Sequence, residues 1–191
     1  MCGRYGFYED RADDKGRAVL DMLRRLYPET ECKTGEIFPG DTAPGVIGRE
    51  GKILPVPAVF GFPGRDGKKP LINARSETAA QKSAFAESMR ERRIILPANG
   101  FFEWGRDPQR TKYYFTLDAP VFYLCGLYRI VNGKVCFVIL TRRANESMIE
   151  THDRMPVTAE AEQVRGYLTD YRTAMEVIAA PAPLLHREKA V

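Results

Sequence analysis

A chain of 191 residues with 44% hydrophobic content has room for one domain with a sizeable core. Its net charge of +4 is only mildly basic, which permits a polyanionic partner without requiring one. Its four cysteines (Cys2, Cys32, Cys125, Cys136) form no Cys-x-x-Cys pair and no His/Cys cluster, and no signal peptide or long apolar span is present; these exclude a zinc-type site and a spanning helix, so the expectation is a reduced, cytoplasmic protein with no metal, no cofactor and no membrane partner.

In chain order the first feature is Met1-Cys2-Gly3-Arg4-Tyr5. Initiator methionine is usually removed before a small residue, and that removal leaves Cys2 with a free α-amine two carbons from its thiol. An internal cysteine has only an amide nitrogen, with no available lone pair. The terminal amine titrates near ~8 and the thiol near ~8.5, so both are partly nucleophilic at neutral pH. With an aldehyde the amine forms a Schiff base, and the thiolate then closes a five-membered thiazolidine. Ring closure is intramolecular and gains a large effective concentration.

Residues 10–27 place Val19, Leu20, Met22, Leu23 and Leu26 at helical spacing, ended by Pro28. From Thr34 to Pro57 the density of Gly and Pro predicts loop with short strands, followed by a strand over 54–62 and a basic turn from Gly64 to Lys69. A helix is expected over about 79–90, then a strand from Ile94, a turn at 97–100, and strand again through Trp104. Residues 113–117, 121–130 and 134–140 read as successive antiparallel strands, with Asn132-Gly133 as a hairpin turn. Asn145–Thr151 reads as a short helix, Thr158 as the cap of a helix to about Leu168, and another helical segment ends before Pro181. Cys125 and Cys136 sit in apolar runs as core thiols, and the polar tail reads as loose. The expected architecture is one α+β domain over residues 2–180 with a mainly antiparallel, barrel-like core and peripheral helices, and a tail over 181–191.

Three polar residues stand against apolar strands, where burial is costly without a partner or a task. Asn73 follows Leu71-Ile72, Glu103 lies between Phe102 and Trp104, and His152 precedes an Asp-Arg pair. Each also has a plain structural reading, as a turn-former, an outward carboxylate and a satisfied core or surface histidine.

Met1-Cys2-Gly3-Arg4-Tyr5, Asn73-Ala74-Arg75-Ser76-Glu77-Thr78, Pro97-Ala98-Asn99-Gly100-Phe101-Phe102-Glu103-Trp104 and His152-Asp153-Arg154-Met155-Pro156-Val157 resemble the four motifs of the SRAP family, the SOS-response-associated peptidases or abasic-site DNA–protein cross-linkers, in the family's order. The resemblance implies an enzyme of the DNA damage response that binds single-stranded DNA and captures abasic sites through a thiazolidine at Cys2. Autopeptidase (hydrolase) removal of Met1 and abasic-site lyase chemistry belong to the same implication. Position by position it implies Asn73 holding the Cys2 end, Glu103 as acid–base at the Schiff base, and His152 moving a proton at the sugar oxygen. Arg4, Arg75 and Arg154 match phosphate contacts, while Trp104, Pro44 and Thr141 fall along the DNA channel. A monomer is expected, cytoplasmic and nucleoid-associated when bound to DNA.

Two departures stand out. Phe60-Gly61 takes the place of the family's frequent Trp-Gly, so Phe60 is either a base-stacking wedge or a core ring. Thr141-Arg142-Arg143 replaces small residues after the threonine, which adds a phosphate contact or a solvated charge pair. Two rival functions remain open at this point, an N-terminal-nucleophile cysteine amidohydrolase and a non-covalent single-strand DNA-binding module.

Overall fold

Arg93–Ala98 is buried at every position, so the strand it forms needs cover on both faces and partners on its edges. A barrel supplies them. The computed structural model describes residues 3–64 and 69–190. Within them the chain forms β1 (Arg4–Phe7), α1 (Asp14–Leu26), β2 (Gly35–Ile37), β3 (Thr42–Arg49), β4 (Lys52–Phe60), β5 (Asn73–Arg75), α2 (Ser76–Ala79), α3 (Ala86–Glu91), β6 (Arg93–Ala98), β7 (Gly100–Trp104), β8 (Lys112–Thr116), β9 (Phe122–Val131), β10 (Lys134–Arg143), β11 (Arg154–Pro156), β12 (Thr158–Ala159), α4 (Val164–Thr169), α5 (Tyr171–Ala179) and β13 (His186–Lys189). Cys2 and residues 65–68 of the expected basic turn lie outside the described residues.

Strand β10 pairs with β4, β4 with β3, β3 with β6, β6 with β9, and β9 returns to β10, which closes the ring. Only the β4–β10 contact in that ring is parallel. Closure removes bare edges, the usual hazard of a sheet this apolar. The far half of β10 runs past the ring and takes β5 alongside Ile139–Thr141 and β11 alongside Thr141–Arg143. A second, antiparallel sheet in the order β13-β8-β7-β1-β2 packs against the barrel wall. Tyr5 of β1 meets Phe60 edge-on at 6.0 Å, and Phe60 stacks on Phe137 at 4.9 Å with 3° between planes.

The α+β class and barrel-like core are therefore those expected, and several elements differ in detail. Thr42–Phe60 is a long hairpin: the strand expected over 54–62 is its second arm, running from Lys52 to Phe60, and its first arm is one regular strand where loop with short strands was expected. Its prolines are tolerated because Pro44, Pro55 and Pro57 fall where β3 and β4 have no outer partner: β6 joins β3 only at Val46 and Ile47, and β10 joins β4 only from Ala58. Its turn holds Glu50 and Gly51 at φ 52° and 72°, the same left-handed geometry as the expected turn at Asn132 and Gly133.

The helix expected over 79–90 is two short helices broken at 80–85. Asn145–Thr151 makes single helical turns, such as Ile149 N–H to Asn145 O at 2.9 Å, without becoming a regular helix. Thr158 lies in a strand, and the helical stretch that follows is capped instead by Glu160 and Gln163, each side chain bonding the other's backbone. The tail is not loose: His186–Lys189 pairs with β8 from Thr116 back to Tyr113.

Phe60 is 1% exposed and the Tyr5–Phe60–Phe137 cluster joins the two sheets, so its ring offers no open face to a base. Phe60→Ala is expected to lower unfolding free energy by ~3–5 kcal/mol, and Phe60→Trp to overpack by ~1–3 kcal/mol. Chemical denaturation measures both. Unchanged stability with weakened DNA binding would return the ring to the wedge role.

Candidate active site

Side chains alternate faces along a strand, so register assigns each candidate a side. Tyr5 pairs with Phe101 across β1 and β7, and Glu103, two residues on, shares their face, the one turned to Phe60. Glu103 is 4% exposed. Burying a carboxylate costs several kcal/mol unless its surroundings compensate, which makes this an expensive position to fill without a task. It stands one residue beyond the Arg4–Phe102 pair, where β1 leads back toward the first residues of the chain.

Asn73 pairs with Ile139, two positions along β10 from Phe137, and so lies on the barrel face against which Tyr5 packs. It is half-buried. Farther along β10, Ala144 N–H donates to Asp153 O at 3.0 Å and holds the connection that carries His152. The His152 ring is 26% exposed, and its Nδ1 lies 2.9 Å from both the Arg154 amide and Asp153 Oδ1. One nitrogen cannot serve both at once. Nδ1 accepts the amide proton when the ring carries its proton on Nε2, and donates to Asp153 when Nδ1 itself is protonated, in the other neutral tautomer or the imidazolium. Nδ1 thus has a partner whether or not it carries a proton, which suits a group that passes one.

The arginines divide between two faces. Arg4 lies on the side of β1 away from the barrel, its guanidinium 4.4 Å from the Phe38 ring centre and 4.8 Å from that of Trp104, with Glu36 at 3.4 Å. Arg4 and Trp104 are thereby brought together. Arg75 pairs with Thr141 and Arg154 with Arg143, so these share the Asn73 face. Arg154 is already engaged: both terminal nitrogens meet Glu77 at 2.7 Å, and it donates to the Thr141 carbonyl as well. Thr141 is fully buried and its hydroxyl meets Ala74 O at 3.4 Å; with buried Pro44 it supports the wall and offers no surface to a ligand.

Hydrogen bonding from Arg154 holds the Glu77 carboxyl below its ordinary 4.5. Its folded pKa is depressed, so its contribution to stability is present above the unfolded value and is lost as pH falls through the folded one. Glu77 is half exposed, which keeps the effect small. Glu77→Gln is expected to melt lower than the parent at pH 6, with the gap closing below about pH 4.5 as the parent's own carboxyl protonates. Melting scans from pH 3 to 7 check this, and a gap that widens in acid contradicts it.

Two residues escaped the sequence reading of the site. Glu77 sits inside a quoted motif, and a carboxylate two residues after an arginine was the available signal. Arg187 had none. From β13 it reaches Thr151 Oγ1 at 3.2 Å and Glu150 at 3.5 Å while lying 5.1 Å from the centre of Tyr113, the cross-strand partner of Glu103. It ties the segment before His152 to the sheet that carries Glu103. The thiols of Cys125 and Cys136 are core groups, pushed up by burial and unsuited to nucleophilic work. Among the described residues no group of His, Cys, Asp and Glu is placed to hold a metal.

The family model described as SOS response associated peptidase (SRAP) matches residues 1–188. The chain is 29% identical to the abasic site processing protein YedK of Escherichia coli over 88% of its own length and 79% of the relative's. It is 31% identical to YoaM of Bacillus subtilis, also named an abasic site processing protein, over 93% and 83% of the two chains. Two solved structures share the fold. A phage-related protein of Bordetella bronchiseptica has a TM-score of 0.73 at 23% identity, over 99% of this chain and 94% of that one. A protein of Bacteroides thetaiotaomicron has 0.77 at 17% identity, over 98% and 91%. With the family model spanning nearly the whole chain and all four motifs in order, the protein belongs to the SRAP family.

Proposed function

We propose that this protein processes abasic sites by binding single-stranded DNA and capturing the lesion covalently through Cys2. The observation that carries the reading is the buried Glu103 carboxylate at the end of β1. The first strand begins beside it, with Arg4 paired to Phe102, one residue before Glu103. Removal of Met1 gives Cys2 the amine that the chemistry needs. The homologues' names, as abasic site processing proteins, support the substrate class.

The steps balance without a cofactor. The abasic sugar opens as its anomeric hydroxyl loses a proton, the C1′–O4′ bond breaks and O4′ gains a proton; His152, with a partner in either charge state, moves that proton. The Cys2 amine adds to the aldehyde carbon, and water leaves as the imine forms. Glu103 takes and returns protons in this exchange. The Cys2 thiolate then adds to the imine carbon, and the nitrogen is protonated to complete the thiazolidine. Asn73, on the facing wall, positions the terminus. General acid–base groups of this kind contribute ~10²–10⁴-fold in rate. Lyase cleavage of the strand and reversal of the link would use the same groups.

Arg4 stacked with Trp104 and the arginines of the Asn73 face supply charge for the backbone, with Trp104 available to a base. The test is incubation with abasic single-stranded DNA, read by denaturing gel and intact mass. A denaturant-resistant adduct that has lost one water supports capture. A complex that dissolves in denaturant points to a non-covalent binder, and turnover of a small amide without an adduct points to an amidohydrolase.

A further inference from the structure

Arg142 and Arg143 stand next to each other in sequence, and the strand sends them to opposite faces. Arg142 crosses to the helical side and donates to Ala180 O, which fixes the end of α5 over the end of β10. Arg143 is exposed and directly opposite Arg154, on the face that also carries Arg75 and Asn73. Like charges directly opposed across strands repel. Glu77 neutralises Arg154, and Asp153 lies against His152, so the three guanidinium groups still exceed the two carboxylates. Arg143 is left as a cation aimed at solvent beside the candidate catalytic groups.

Directly beside it opens a cavity of about 330 Å³ between α2 and α5. Ala80, Met175 and Ile178 give it apolar walls, while Gln81, Arg142, Arg143 and the Arg154-paired Glu77 stand on its lining as polar groups. That volume falls at the lower end of small-molecule sites, about 300–1,000 Å³. A slot with apolar walls and polar groups at its edge, next to a guanidinium that makes no ion pair among the described residues while the lining carboxylate of Glu77 is held by Arg154, matches one nucleotide: base in the slot, phosphate on the arginine.

We propose that Arg143 and this cavity form a subsite for a single nucleotide flanking the captured sugar. It rests on the single-strand DNA reading above and adds to it a position outside the groups that touch the lesion. The subsite would hold the strand in one register, so that the abasic position and not a neighbour meets Cys2.

The test uses the full chain and oligonucleotides carrying a tetrahydrofuran analogue of the lesion, which binds without reacting. Fluorescence anisotropy is measured while each flanking base is removed, or each flanking phosphate made neutral as a methylphosphonate. The parent protein is expected to show one flanking base whose loss weakens binding ~5-fold or more. Arg143→Ala is expected to lower the salt slope by ~0.7 and to abolish sensitivity to one neutralised phosphate. Met175→Trp, which fills the slot, should abolish the base sensitivity while leaving the Arg143 phosphate sensitivity in place; its melting temperature checks that it has folded. An unchanged slope and phosphate profile in Arg143→Ala overturns the subsite, whatever Met175→Trp does. A parent that binds with this pattern yet makes no adduct with a true abasic strand overturns covalent capture and leaves the subsite standing.

Discussion

Cys2→Ala is expected to abolish the denaturant-resistant adduct completely while leaving single-strand binding within about twofold of the parent. In the proposed function the affinity would come from charge and stacking on Arg4, Trp104 and Arg75, whereas the covalent bond requires the 1,2-aminothiol. Cys2→Ser separates the two bonds. Its amine still forms an imine, which borohydride traps, but the hydroxyl is too poor a nucleophile to hold a stable ring. Placing one uncleaved glycine before Cys2 keeps the thiol and removes the amine, and should be as inactive as alanine. Normal adduct yield from that extended chain, judged by intact mass, would falsify thiazolidine formation.

Glu103→Gln and His152→Ala are expected to slow adduct formation or its reversal by ~10²–10⁴-fold with small changes in affinity. The two differ in character. Glu103 is buried on a rigid strand, so its amide analogue keeps the shape and loses only the proton. His152 shares Nδ1 between Asp153 and the Arg154 amide, and Asp153→Asn should therefore loosen the orientation of the ring and slow capture by less than His152→Ala does. Single-turnover rates over pH 5–9 beside anisotropy binding curves separate these roles. Losses of affinity with unchanged rates would make both residues DNA-positioning groups.

The motifs were legible because their chemistry is written in residue types at fixed places, and the closed strands because their apolar runs are long. Phe60 was ambiguous in sequence, since a ring in an apolar run suits a wall or a wedge equally; only its stacking on Phe137 decides between them. The first arm of the Thr42–Phe60 hairpin reads as loop in the sequence because proline density is a local signal, while tolerance of proline depends on which edge a distant strand occupies. Arg154 matched a phosphate contact by motif, and nothing local announced that Glu77 would clasp it from the next turn of chain. Arg187 was invisible for the same reason, because a charged residue in a polar tail gains meaning only from the strand that receives it.

The pairing of β13 also gives the molecule a mechanical direction. A pull applied beyond Ala190 and across the strand loads the Ala190–Lys112 hydrogen bond first and then the Lys189–Tyr113 pair, so the strand unzips rung by rung. Arg187 leaves Thr151 at the third rung, before the closed barrel has borne any load. Local opening of this kind costs far less than global unfolding. An unfolding machine that grips this end would slacken the His152 segment early, and would meet its main resistance only at the barrel.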